Sequence, residues 1–260
     1  MAIQLNDRDH LIFKLIDEHE VLLEKHISWF IAGDDKPVLI RDRLRKLFYL
    51  DYLLCHRHGS KLPWWTTPTK PLVYMLSPMT RGISGFADNQ DELLSNDFQR
   101  HHLEVANLRM LYLVAQKDQQ ICDFVWKTMK HERVTETGLD AKATFNCGGF
   151  ATRVGLVNNL QGDCATAKLD KLAQSLSQEN IEAVLLISRD DHDKSAMQDA
   201  IIKFGGELAT KTFFATHQEL YRDGIVGVGW VMANGQKAEL FKQGEVAFMP
   251  GFGGSQSIAV

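Results

Sequence analysis

The stretch PVLIRDRLRKLFYLDYLLC, Pro37 to Cys55, decides the fold. Pro37 suits the first turn of a helix, where its missing N–H is not needed. Ile40, Leu44 and Leu47 then recur at helical spacing, which predicts a helix to about Tyr49 with one apolar face. At about 100° per residue, Asp42, Arg45, Lys46 and Tyr49 point away from that face, and Arg41 and Arg43 lie on its two flanks. The apolar run Tyr52 to Cys55 that follows has strand character.

Outward from this segment the elements are short. Asn6 and Asp7 are helix-capping types, and Leu11, Ile12, Leu15 and Ile16 follow at helical spacing. Val21 and Leu22 are expected to open a second helix, with Ile27, Phe30 and Ile31 on its apolar face and Gly33, Asp34 and Asp35 ending it. Beyond Pro37–Tyr49, the polar span His56 to Lys70 separates Tyr52–Cys55 from a second β-type run, Leu72 to Leu76. Three short helices and a two-stranded hairpin, in that order, predict a winged helix-turn-helix over residues 1–81, with His56–Lys70 as the wing.

Charge gives that unit a chemistry. Between Lys36 and His58 stand six cations (Lys36, Arg41, Arg43, Arg45, Lys46, Arg57) and two acids (Asp42, Asp51), a balance of +4 in a chain whose net charge is -4. A basic stripe alone reads equally well as a solvated helix face. On the third helix of a tri-helical unit, ahead of a hairpin, it reads as a helix that enters the major groove of double-stranded DNA, where Arg and Lys meet guanine edges and phosphates flank the groove. Arg45 and Lys46 are expected to reach the groove, and Arg41 and Arg43 to favour phosphates. Arg57, Lys61 and Lys70 would extend the contact from the wing. Trp64 and Trp65 either press on the sugar-phosphate backbone or pack on the domain.

The segment GISGFADNQDELLSN, residues 82–96, is polar, acidic and broken by Gly and Asn, and it predicts a linker. After it, residues 97–260 alternate helices and strands: a helix from about Asp97 to Gln116, strands near Ile121–Trp126, Lys142–Asn146 and Thr152–Val157, and a helix from Asp163 to about Leu176. IEAVLLIS, Ile181 to Ser188, reads as a buried central strand because it is continuously apolar. A helix from Asp190 to Phe204, closed by Gly205 and Gly206, and late strands around Gly224 to Met232 complete the pattern. The fold class is therefore α+β with an α/β second half built on a mixed sheet.

Composition excludes several alternatives. Hydrophobic residues make up 45% and charged residues 24%, the balance of a globular chain. No apolar run approaches the roughly 18 residues of a membrane span. The opening MAIQLNDRDH lacks a signal-peptide layout, so a cytoplasmic protein is expected. Cys55, Cys122, Cys147 and Cys164 have neither CxxC nor zinc-site spacing and are expected to be free thiols. Asp190, Asp191, His192 and Asp193 are better explained as helix-start acids than as metal ligands. His101 and His102 read as a packed helix-start pair. Gly148 and Gly149 lack a strand-GxGxxG-helix context.

The segments LNDRDHLIFKLIDEHEVLLEKHISWF (residues 5–30), RDRLRKLFYLDYL (residues 41–53) and RHHLEVANLR (residues 100–109) resemble the replication-relaxation family of plasmids and mobile elements, which is similar to MobC-type mobilisation proteins. That resemblance implies a winged helix-turn-helix followed by a domain related to restriction-type nucleases. It places the protein in DNA transfer or replication, or in their transcriptional regulation. A nuclease of that type needs an Asp on one strand and acids on the next to hold Mg²⁺ or Mn²⁺. GLDAKATF offers Asp140, but ATRVGLVNNLQGD offers Val157, Asn158 and Asn159 where acids belong. Asp163 comes later and reads as a helix cap. The domain is therefore expected to be a degenerate nuclease fold with no metal site and no cofactor. Asp140 and Asp163 remain the only catalytic candidates under the alternative of a metal-dependent relaxase or nickase. Expected partners are double-stranded DNA, a second copy of the chain, or other transfer and replication proteins, and no membrane.

Overall fold

The computed structural model describes residues 4–34, 37–59, 62–84, 95–129, 134, 136–160, 165–238 and 240–241. The chain divides into two compact units, residues 1–119 with 128–130, and residues 120–127 with 131–260. The expected linker falls largely at residues 85–94, outside the described residues.

Unit 1 opens with α1 (Asp7–His19), capped by Asn6. The Asn6 side chain accepts from the Asp9 amide, and the Asp9 carboxylate accepts from the Asn6 amide at 2.8 Å, a reciprocal capping box. Strand β1 (Leu22–Leu23) precedes α2 (Glu24–Ala32). Val21 and Leu22 thus do not open the second helix as the spacing suggests. Leu22 and Leu23 pair instead with Tyr74 and Val73, because the sheet offers a partner that local periodicity cannot register. Gly33 ends α2 in the left-handed conformation, φ 63°, where glycine carries no Cβ penalty.

Helix α3 (Pro37–Tyr49), β2 (Leu53–Arg57) and β3 (Leu72–Leu76) follow. The three strands form an antiparallel sheet in the order β1-β3-β2. Ile12, Ile16, Ile27, Ile40, Leu44, Leu47, Leu53 and Leu76 form one buried cluster, each burial being worth about 2 kcal/mol. A short α4 (Pro78–Ser84) takes up residues 82–84 of the expected linker.

Helix α5 (Asn96–Lys117) corrects the domain boundary. The sequence reading starts the second domain at Asp97, yet α5 belongs to unit 1. Its Ala106 joins the α1–α3 cluster, and its Leu103 packs with Val21, Leu23, Leu62, Val73 and Met75. The helix is apolar on more than one side, with Leu103, Val105, Ala106, Leu108 and Tyr112 all buried, so periodicity does not say which neighbour it joins.

Unit 2 is a seven-stranded mixed sheet. Its strands are β4 (Cys122–Thr128), β5 (Ala141–Cys147), β6 (Phe150–Asn158), β7 (Ala183–Ser188), β8 (Thr212–Thr216), β9 (Trp230–Met232) and β10 (Lys237–Ala238), and their order in space is β10-β9-β8-β7-β6-β5-β4. β5 and β6 form a hairpin with Cys147 facing Phe150. Gly148 and Gly149 are its two turn residues, at φ 58° and 87°, the backbone a two-residue type I′ turn demands. β6, β7 and β8 run parallel. They are linked by α6 (Ala165–Gln178), then by α7 (Asp191–Phe204) and α8 (Gly206–Lys211). The IEAVLLIS segment supplies the central strand, buried at all six positions of β7.

The expected strands around Gly224–Met232 are half corrected. Helix α9 (His217–Gly227) occupies the first part, and only Trp230–Met232 is a strand. Thr216 and Glu219 make a reciprocal capping box that starts α9. Among the described residues, no helix is long and apolar enough to cross a membrane.

Candidate nucleic-acid interface

Helix α3 turns Ile40, Leu44 and Leu47 into the core of unit 1, each at most 3% exposed. The opposite side carries the cations, and the structure sorts them into three kinds. Arg45 and Lys46 are exposed, and among the described residues Arg45 pairs with Asp42 on its own helix at 3.9 Å. Arg41 is exposed but forks onto Glu24 at the start of α2, with contacts of 2.9 and 3.1 Å. That paired carboxylate raises the guanidinium pKa, first through the hydrogen bond and then through its charge.

Arg43 is different. It bonds through Nε to Asp9 Oδ1 at 2.6 Å, and its Nη2 contacts Asp9 Oδ2. Asp9 is fully buried and is also the capping-box acid of α1. Burial works to raise the Asp9 pKa, but the Arg43 and Asn6 hydrogen bonds outweigh it and hold the carboxyl below its usual range. Arg43, expected at a phosphate, is held here by Asp9 and ties α3 to α1, a commitment made by a residue far away in sequence.

The wing residues divide similarly. Arg57 donates to the Lys70 carbonyl at 2.8 Å, and Lys70 donates to the Gly59 carbonyl at 2.9 Å. Both are surface groups that brace the ends of the loop. Lys61 and Lys36 lie outside the described residues. Trp64 and Trp65 pack against the cluster of Leu62, Val73, Met75 and Leu103, and Trp65 donates its indole N–H to the Thr69 carbonyl. The packing alternative for the two tryptophans is the one observed. Phe98 and His102, on α5, contact each other at a ring separation of 4.2 Å.

In unit 2, Asp140 sits just ahead of β5 and is buried, and it accepts the Asn158 amide at 2.6 Å. Asn158 ends β6, and its side-chain oxygen lies 2.7 Å from His217 Nε2, while the Tyr221 hydroxyl lies 3.0 Å from His217 Nδ1. With the Nε2 proton in place, His217 donates to Asn158 and accepts from Tyr221. Tyr221, His217 and the Asn158 side chain thus form one hydrogen-bonded line between α9 and β6, and the Asn158 backbone amide separately holds the buried Asp140 carboxylate. Sequence reasoning names Asp140 and Asn158 of this set, but neither His217 nor Tyr221. The His217–Tyr221 spacing of four on a capped helix is the one local signal for the rest. Asp163 and Cys164 lie outside the described residues.

Among the described residues, the donors that approach one another closely enough for a metal are Asp190, His192 and Asp193, at the surface. Asp190 caps α7 by accepting the Asp193 amide at 2.8 Å, the role its position suggests. Cys55, Cys122 and Cys147 are free thiols.

Compared with protein-family models, with curated proteins and with solved structures, the chain yields no significant match.

Proposed function

We propose that unit 1 is a winged helix-turn-helix that binds double-stranded DNA through α3. The observation that carries this reading is the face of α3 opposite its core, where Arg45 and Lys46 stand exposed with Arg41 on the flank. The order of helices and strands, with β1 joining the hairpin to make the β1-β3-β2 sheet, is the order that places a third helix for the major groove. Arg41, Arg45 and Lys46 make the contact, and Arg43 holds the helix in position. Arg57, Lys70 and Lys61 contribute weakly from the wing.

We further propose that unit 2 is a degenerate restriction-nuclease-like fold and that the protein serves a plasmid or mobile element, in DNA transfer, replication or transcriptional control. The antiparallel β5–β6 hairpin followed by parallel β7 supports the fold. The Asp140 carboxylate is engaged by the Asn158 amide, and the facing strand brings asparagine where a metal-dependent nickase requires acid, which favours a binding role over a catalytic one.

The test is fluorescence anisotropy on labelled duplex at two salt concentrations, with a triple Arg41/Arg45/Lys46 alanine variant checked for folding. Loss of three phosphate or base contacts lowers affinity on the order of tenfold or more and flattens the salt dependence. Unchanged affinity in the folded variant removes α3 as the DNA-contacting element. Incubation of supercoiled plasmid with Mg²⁺ or Mn²⁺ tests the nickase alternative, and nicking lost in Asp140→Ala would establish it.

A further inference from the structure

Four residues of α3 fall on one line opposite its core: Val38, Asp42, Arg45 and Tyr49, spaced four, three and four apart. On a helix of 3.6 residues per turn they lie within about 60° of one another. Val38 is 70% exposed and Tyr49 75%, and the Asp42 and Arg45 side chains are 80% and 61% exposed. Arg41 and Lys46 lie on either side of this line, about 60–80° away.

Two members of the line are out of place on a surface built only to attract a polyanion. Asp42 puts a carboxylate in the centre of the basic face, where it repels phosphates. It lies in the second turn of α3, past the capping positions, and its ion pair with Arg45 at 3.9 Å is longer than a hydrogen bond and contributes little at such exposure. Val38 leaves most of its surface in water. Neither residue serves the core of unit 1. Both match groups on base edges: a carboxylate accepts from the cytosine N4 amino group, and an aliphatic group packs on the thymine methyl. Arg45 beside them suits guanine O6 and N7. Asp42 and Arg45 are about 4.5 Å apart along the helix axis, close to the roughly 3.4 Å between successive bases, so they address neighbouring base pairs.

We propose that Asp42 and Val38 are specificity determinants of α3. With Arg45 they read a short site that holds a cytosine, a neighbouring guanine and a thymine within about one helical half-turn of DNA. Arg41 and Lys46 supply affinity from the flanks. This inference rests on the reading of unit 1 as a DNA-binding unit.

The experiment selects sites from a random duplex pool with the full-length chain, then repeats the selection with Asp42→Asn and Val38→Ala, while affinity for unselected duplex is measured in parallel. Asp42→Asn removes a like charge and adds an amide that pairs bidentately with adenine. It raises affinity for unselected duplex a few-fold, and at one position only it exchanges cytosine preference for adenine, a change on the order of tenfold. Val38→Ala shortens the aliphatic contact and weakens the thymine preference at one nearby position only. If Asp42→Asn alters all sequences equally, or if wild-type protein binds duplex without enriching any sequence, the specificity proposal is overturned while DNA binding stands. If wild-type protein binds no duplex even at low salt, the reading of unit 1 itself fails.

Discussion

Arg43 is the residue where composition and structure part company. In the sequence it is one of several cations in a basic run. In the fold it holds the buried carboxylate of Asp9, and through it the start of α1. Removing one partner of a buried pair leaves the other charge without compensation. Asp9 keeps the Asn6 amide, so the cost is below that of a fully orphaned charge. Arg43→Ala is expected to destabilise the protein by about 2–4 kcal/mol, whereas Arg45→Ala at an exposed position costs less than about 0.5 kcal/mol. Urea unfolding of the two variants checks both numbers, and equal stability would show that the Asp9–Arg43 pair does not secure α1. Asp9 and Arg43 are separated by thirty-four residues, so no spacing rule links them, while the outward direction of Arg45 follows from helical period alone.

At the scale of elements, the segments with a local code were legible. The Asn6 cap, the Gly33 stop and the uniformly apolar β7 each carry their instruction within a few residues. Helix α9 carried one as well: Thr216 and Glu219 stand three apart in the capping-box pattern, ahead of a segment whose later glycines suggest strands and turns instead. Thr216→Ala removes the acceptor for the Glu219 amide and is expected to cost about 1–2 kcal/mol, read as a lowered urea midpoint with unchanged slope. Thr216→Ser keeps the acceptor and should recover most of that loss. If serine fares no better than alanine, the methyl packing of the buried threonine matters more than the cap.

For the whole molecule the sharpest expectation concerns pH. His19 and His26 are buried in unit 1. Burial lowers both pKa values: His19 falls well below its usual value, with Arg109 adding to the effect, and His26 falls to about 3. In the unfolded chain each titrates near 6.5. Between about 3 and 6.5 the unfolded state therefore binds protons that the folded state excludes, so stability declines as pH falls through that window. From pH 7 to pH 5 the loss from His26 is about 2 kcal/mol, and His19 adds to it in the same direction. Urea unfolding at the two pH values measures it, and His26→Gln should remove about 2 kcal/mol of the dependence. A flat profile would mean that the two rings are protonated inside the fold.

What the sequence determined by itself is whatever depends on near neighbours along the chain: the three helices and hairpin of unit 1, the outward face of α3, the central strand of unit 2, and the asparagines that stand beyond Asp140. Tertiary structure alone decided which unit α5 joins, that Leu22 and Leu23 pair as a strand, that Arg43 is held by Asp9, and that Tyr221 and His217 form a line to Asn158, whose backbone amide holds Asp140. The physical reason is the range of the forces involved. Helical period, capping and turn conformation act over three or four residues, whereas a buried hydrogen bond or ion pair is specified by whichever side chains the packed core brings within about 3 Å, at any separation in sequence.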